Sequence, residues 1–578
     1  MRLKLPSTWF RGPRWLYIVA TIVLAAGSWW GLPHSESWAN DAITPRSTGL
    51  FAITLPYWWG HFHTYPPLHM AILTILCLPV TLAAVFAAAV TAQPIEQVLL
   101  SRAAMTSIEV VARAVAMLMA LGIVDFTYRV WSTLRDPAVG ALAALSVVGI
   151  APWAYYGKVG NVDVPAIFWM CLALEQVIIL QVHREFSVSR ERAALVFTTL
   201  AVLTKDQIAG ALVLPIAWLA VAPGIGMTQA PASRGPGALS SSDASAVEWS
   251  SLGRAFRGSL WRSVALCLGL YVIVSGALVN PTGWLARVRF ILGPASRDWV
   301  EFEPTFAGRM ALMRDIFFRV PELTSWPSAL LSALGIGVCV LDAKRRTQLL
   351  PAAAALSFTA TFNVLALRSE HRFLLVQAVL LAPYSALVVP AMARFSAAWW
   401  AGHGAFFVAC LANLRSVASL DATLIFDSRY SAETFLSTLP THSRVEIMGG
   451  PKFFPRFPEG LDLTRVGLDP LDARRAIPGV KEELGDPRAI GLRRPDYLVL
   501  SEEFATPQFF PTGVRRGAYM EPSTLDFFHQ LDREQTSYTL AYRAKCHLPW
   551  PLTCTRLHFC TGGDIAIYKR RDASMRHP

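Results

Sequence analysis

The chain has 578 residues, of which 53% are hydrophobic and only 16% charged, with a mean hydropathy of +0.40. A soluble chain carries roughly 25% charge, so a soluble enzyme is excluded, with or without a single anchor. The net charge of +12 does not point to nucleic acid, because Arg and Lys gather at the ends of apolar runs, where the positive-inside rule places them.

The first apolar run, 14–33, follows Arg2, Lys4, Arg11 and Arg14. It is longer than a signal-peptide core and no A-x-A site follows promptly, so it reads as a retained span with its start in the cytoplasm. Further apolar runs lie near 67–91, 107–128, 137–155, 165–183, 193–204, 207–222, 259–280, 326–341, 347–367, 371–390 and 399–420. Runs of this length predict transmembrane helices, with 193–204 the shortest. Between the first two runs lies a loop, 34–66, rich in Trp, Tyr, Pro and His, which suits a membrane interface. The stretch 223–258 is Gly/Ser/Ala/Pro-rich and reads as a flexible cytoplasmic linker. A second long polar loop is expected over 281–325.

After about residue 421 the composition changes. Pro, Arg, Asp and Glu become frequent, and β-like runs appear: "RVEIMGG", "DYLVLS", "SYTLAYRA" and "DIAIYKR". The predicted architecture is an all-α polytopic membrane domain, 1–420, followed by a small α/β domain, 421–578. Of the 8 cysteines, most sit singly inside spans as small hydrophobes. Cys546, Cys554 and Cys560 cluster without zinc-like spacing, and a disulfide is expected if that region is extracytoplasmic.

Loop charge sets a topology. The basic loops at Arg129/Arg135, His183–Arg192, the 223–258 linker, Lys344–Arg346 and Arg394 are natural cytoplasmic loops. All of them are inside only if 67–91 makes no net crossing, as a re-entrant segment or an interfacial helix broken at Pro79. Loop 34–66, "GKVGNVD", "TKD", 281–325, "RSEHR" and the C-terminal domain then share the outer face.

Five short polar stretches converge there: "SESWANDAITP" with Glu36 and Asp41, "HFHTYPPLH" with His61, His63 and Tyr65, "GKVGNVD" with Lys158, Asn161 and Asp163, "LTKDQ" with Lys205 and Asp206, and "LRSEHRF" with Arg368, Glu370, His371 and Arg372. Each has a plain structural reading. Asp41 is a loop residue or a helix cap, Asp163 a cap two residues before Pro165, and Lys205 a snorkelling anchor. Arg368–Arg372 is a charged loop, and His61 and His63 are interfacial. Two histidines at i, i+2 with scattered carboxylates are a weak metal pattern, and no cofactor is expected. Gathered at one face, the same groups suit one chemistry: cations hold the phosphate of a lipid carrier while a carboxylate deprotonates an acceptor hydroxyl.

The order of acidic loop, "YPPLH", "GNVDVPAIFW", "LTKD", "EHRFLL" and a soluble C-terminal domain resembles the GT-C class of integral membrane glycosyltransferases, in the branch of protein O-mannosyltransferases and aminoarabinose transferases. The resemblance spans most of 14–400. It implies eleven to thirteen spans, a polyprenyl-phosphate sugar donor, a lipid, glycan or protein acceptor, and inverting transfer at the outer face of the inner membrane. On it Asp41, then Glu36, is the base. Asp163 is the aspartate before the Pro-started span and Lys205 the lysine of a T-K-G-type motif. Arg368, His371 and Arg372 approach the carrier phosphate, with His61, His63 and Tyr65 as further candidates. Here Asn40-Asp41 stands where the family often has Asp-Glu, Thr64-Tyr65 where many members have Lys before Pro, and T-K-D where T-K-G is usual. A transporter or flippase of lipid-linked sugars and a non-catalytic envelope-polysaccharide scaffold are the alternative readings.

Overall fold

The computed structural model describes residues 11–33, 38–39, 54–183, 187–225, 260–293, 300–392, 398–468, 471, 477, 479–505, 522–557 and 561–571. Glu36, Asp41, Cys560 and the 226–258 part of the linker lie outside these residues.

Helices dominate up to residue 425. Among the described residues five are long and apolar enough to cross a membrane, and seven if each of two bent pairs forms one span. Four shorter apolar helices, Arg14–Ala25, Pro137–Val148, Asp206–Ala217 and Leu260–Val274, complete the bundle. The chain is thus a polytopic integral membrane protein.

Local chemistry sets the helix ends. Ser101 Oγ accepts from the Ala104 N–H and starts the longest early helix, Arg102–Leu134. Asp136 Oδ1 accepts from the Val139 N–H, with Pro137 first in the helix Pro137–Val148. The first helix packs on both. The run at 67–91 is two helices, Leu68–Leu76 and Leu78–Thr91, bent by 59° at Cys77, with Pro79 in the first turn of the second. A proline there removes a backbone donor and kinks the chain.

The stretch expected as a second polar loop, 281–325, is instead largely helical. Pro281–Leu292 is capped by Asn280, whose Oδ1 accepts from the Gly283 N–H at 3.0 Å. Phe306–Thr324 is capped by Thr305. Both helices are rich in charge yet bury one side, including Arg287, Leu312 and Ile316. A low mean hydropathy concealed their amphipathic period. Phe306–Thr324 meets Trp326–Leu341 at a 113° bend.

The last membrane helix, Ala398–Ile425, leads through Asp427 into the sheet domain. Its six strands are β1 (Arg444–Met448), β2 (Asp462–Gly467), β3 (Val480–Leu484), β4 (Tyr497–Ser501), β5 (Tyr538–Ala544) and β6 (Ile565–Arg570). The order is β3-β2-β1-β4-β6-β5, with β1–β4 mutually parallel and β6 antiparallel to both of its neighbours, β4 and β5. All four predicted runs are strands. β2 and β3 are additional, at the polar edge, where "DLTRVG" and "VKEEL" carry too much charge to read as strands.

The sheet domain grips the segment that follows the first helix. Trp30 Nε1 donates to Asp427 Oδ2 at 2.9 Å, the Gly31 N–H to the Tyr430 hydroxyl at 2.8 Å, and Arg456 Nη1 to the Leu32 carbonyl at 2.7 Å. Trp38 is buried among Trp30, Tyr430 and the guanidinium groups of Arg429 and Arg456, 4.3 and 5.5 Å from its ring. Cys546 and Cys554 form a disulfide.

Candidate functional site

The site lies in the bundle beside the turn "RSEHRF", and its construction begins at Asp163. The helix Asp163–His183 needs a cap, and Asn161 provides it: its Oδ1 accepts from the Asp163 N–H at 2.6 Å. The Asp163 carboxylate is therefore free of capping and pairs with the Lys205 ammonium. Lys205 stands in extended backbone between the helix Val188–Thr204 and the 3-10 turn Asp206–Ile208. That break in the helix aims the side chain into the bundle, where Lys205 and Asp163 are each less than a tenth exposed.

The same lysine faces the late basic motif. Its Nζ lies 5.4 Å from the centre of the Phe373 ring, and the guanidinium carbons of Arg368 and Arg372 lie 4.4 and 4.6 Å from that centre. Three cations thus surround one buried ring. Glu370 binds both arginines, at 2.6 Å to Arg368 Nη2 and 3.1 Å to Arg372 Nε. Asp163 and Glu370 are counter-charges within the cluster, and Arg368 Nε has no hydrogen-bond partner among the described residues.

The turn is held from outside. Ser369 donates from its N–H (3.0 Å) and Oγ (2.8 Å) to Glu301 Oε2, and the Glu301 N–H donates to the Leu367 carbonyl. Arg319 Nη1 donates to the Ser369 carbonyl at 3.3 Å, and Glu322 lies 3.7 Å from His371. Burial, with Glu370 nearby, pushes the Glu301 carboxyl up.

Asp206, beside the lysine, pairs with the buried Arg287. Arg287 Nε also reaches the Thr64 carbonyl at 3.4 Å, so the "HFHTYPP" segment joins the cluster edge. His63 is buried there, with neither ring nitrogen hydrogen-bonded among the described residues. Burial, aided by the Arg287 charge, pushes its imidazole down to about 4, so it stands neutral at neutral pH. His61 is exposed and meets Trp58 edge-on, 5.5 Å between ring centres. Tyr65 packs against Leu73, Ala112 and Val162, one residue from Asp163.

Lys158 takes a different role. Its fully buried ammonium donates to the Val23 and Ala26 carbonyls at 2.6 and 2.7 Å and to Asp421 at 2.5 Å. It closes the end of the first helix, where orphan carbonyls and the helix dipole favour a cation. Among the described residues no three His, Cys, Asp or Glu side chains are grouped to hold a metal ion.

Sequence reasoning missed Arg287, Glu301, Arg319, Phe373 and Asp315, whose carboxylate accepts from Ser369 Oγ and pairs with Arg319. Four of them lie in 281–325, where the helix period was the signal. In "WLARVRFIL" one arginine falls on the apolar face.

No family model and no curated protein matches the chain. Among solved structures, ArnT from Cupriavidus metallidurans in the apo state aligns over 98% of this chain and 99% of its own, at 14% identity and TM-score 0.43. The oligosaccharyltransferase AglB from Archaeoglobus fulgidus, solved with an inhibitory peptide and a dolichol-phosphate, aligns over 96% and 88% at 12% identity and TM-score 0.39. The mycobacterial arabinofuranosyltransferase AftD aligns over 97% of this chain and 40% of its own, at 13% identity and TM-score 0.36. These are distant likenesses, and the functional reading rests on the chain's own residues and motifs.

Proposed function

We propose that the protein is a membrane glycosyltransferase of GT-C type. It moves one hexose or pentose from a polyprenyl-phosphate donor to a lipid, glycan or protein acceptor, with inversion, at the outer face of the inner membrane. The C-terminal domain is extracytoplasmic in this reading. The observation that carries it is the meeting of Lys205, Arg368 and Arg372 around Phe373, next to the Asp163 carboxylate.

The chemistry follows from charge. A sugar phosphodiester carries one negative charge and the departing polyprenyl phosphate carries two. Cations fixed beside it bind the transition state more strongly than the ground state. The acceptor oxygen bonds to the anomeric carbon as the carbon–oxygen bond to phosphate breaks. The hydroxyl proton passes to a carboxylate, for which Asp41 is the candidate and Glu36 the second. Asp163 orients the sugar or the acceptor. Lys205, Arg368 and Arg372 hold the phosphate, with His371 at the rim. His61, neutral His63 and Tyr65 line the approach, and no step needs a metal.

Purified protein in nanodiscs, given a radiolabelled polyprenyl-phosphate sugar, is expected to transfer or hydrolyse the sugar, and Asp41→Asn is expected to stop this at unchanged protein level. Near-normal turnover in Asp41→Asn removes Asp41 from the role. Movement of the lipid across liposomes without chemistry replaces the enzyme reading with a transporter.

A further inference from the structure

The sheet domain carries a loop that the proposed reaction does not use. The disulfide between Cys546 and Cys554 closes the segment "CHLPWPLTC". At its tip Trp550 is 93% exposed, between two prolines. An indole held fully outward has no packing reason within the domain, and Trp with one wet edge is suited to the bilayer interface.

The loop's height relative to the membrane can be read from its tethers. The Thr553 N–H donates to Ser419 Oγ at 3.2 Å and the Thr555 N–H to Thr423 Oγ1 at 3.0 Å. Both acceptors lie on the last membrane helix, Ala398–Ile425, which has 28 residues. That helix is about 42 Å long against a hydrocarbon core of about 30 Å, so about 12 Å of it lies beyond the core, and Ser419 and Thr423 fall in its last two turns, at the end that leads into the sheet domain. The first helix marks the same level independently. It ends where Lys158 bridges the Val23 and Ala26 carbonyls to Asp421. A Cβ on Gly27 would lie 3.1 Å from Leu424 Cβ, and Trp29, two residues on, is 51% exposed. Trp550 is three residues from Thr553, so it stays within about 10 Å of this level. Exposed Lys545 and His547 precede it.

We propose that the disulfide-closed loop 546–554 is a membrane-interface anchor. Trp550 sits in the phospholipid headgroup layer, and the loop fixes the sheet domain against the bilayer as well as against the bundle. The occupant of this surface is lipid.

The test uses the full chain in nanodiscs of phosphatidylethanolamine and phosphatidylglycerol, with the photo-crosslinker p-benzoylphenylalanine at position 550. As a control, the same probe replaces Leu492, which is 87% exposed. Leu492 lies near the far end of the strands, where the Arg494 carbonyl accepts from Arg444. Irradiation at 550 is expected to add the mass of a phospholipid, at least tenfold more than at 492. Equal labelling at the two sites, or no lipid adduct at 550, overturns the proposal. An adduct of protein mass from native membranes also overturns it and assigns the loop to a protein partner. Substitution at an exposed loop tip leaves the fold intact, so each outcome is readable.

Discussion

Asp163→Asn separates the two roles assigned to the buried pair. A phosphate held in front of Phe373 lies roughly 5 Å from each of three cations, and at an effective dielectric constant of about 20 each contributes about 3 kcal/mol of attraction. The Asp163 carboxylate, one side chain further off behind Lys205, opposes that attraction by about 2 kcal/mol. Removing its charge is therefore expected to tighten donor binding, with a ceiling near 30-fold in Kd, while lowering kcat because the sugar or acceptor loses its guide. Lys205→Met is expected to do the opposite to binding. It removes one of the three cations and leaves Asp163 without its ammonium, so donor Kd should rise by more than tenfold. Either change breaks a buried pair, which costs a few kcal/mol of stability. Affinity is therefore measured on monodisperse protein, by titrating a fluorescent polyprenyl phosphate in nanodiscs. If Asp163→Asn weakens donor binding as much as Lys205→Met does, the pair is a structural unit and the division of labour is wrong.

Three further outcomes follow from the geometry. Lys158→Met strands Asp421 and two helix-end carbonyls, so it should cost about 3–5 kcal/mol and appear as lost protein in fluorescence-detected size exclusion; normal yield with lost donor affinity would instead place Lys158 in the site. His63 has a folded-state value of about 4 against about 6.5 unfolded, so its contribution is full above pH 6.5. That contribution is lost as pH falls toward 4, because only the unfolded chain takes up the proton, by at most about 3 kcal/mol; melting curves at pH 7.5 and 5 should show a smaller drop for His63→Gln than for the parent. Trp38→Ala and Arg429→Ala should couple by about 1–2 kcal/mol in a double-mutant cycle of thermal stability, and a coupling under about 0.3 kcal/mol would deny the clamp between the sheet domain and the segment after the first helix.

How much of the site the sequence revealed depended on whether a residue's partner was local. Asn161 and Asp163 are two apart, and the cap between them is a short-range matter. Yet the sequence alone left Asp163 open as a cap or as a site carboxylate, because an aspartate before a Pro-started helix suits both. The structure gives the cap to Asn161, and that substitution of roles is what leaves the carboxylate available to Lys205, 42 residues away. Lys158 shows the converse. In the same short stretch it looked like a site cation, but its partners lie 132–263 residues away, beyond any local pattern. Topology could bring "NVD", "LTKD" and "RSEHR" to one face from loop charge alone. It could not say that the acidic neighbour of the lysine would be taken by Arg287, because Arg287 sits in a stretch whose charge concealed a helix. Asp206 is paired from the other side by Arg287, and the three cations around Phe373 are the groups a phosphodiester donor would meet.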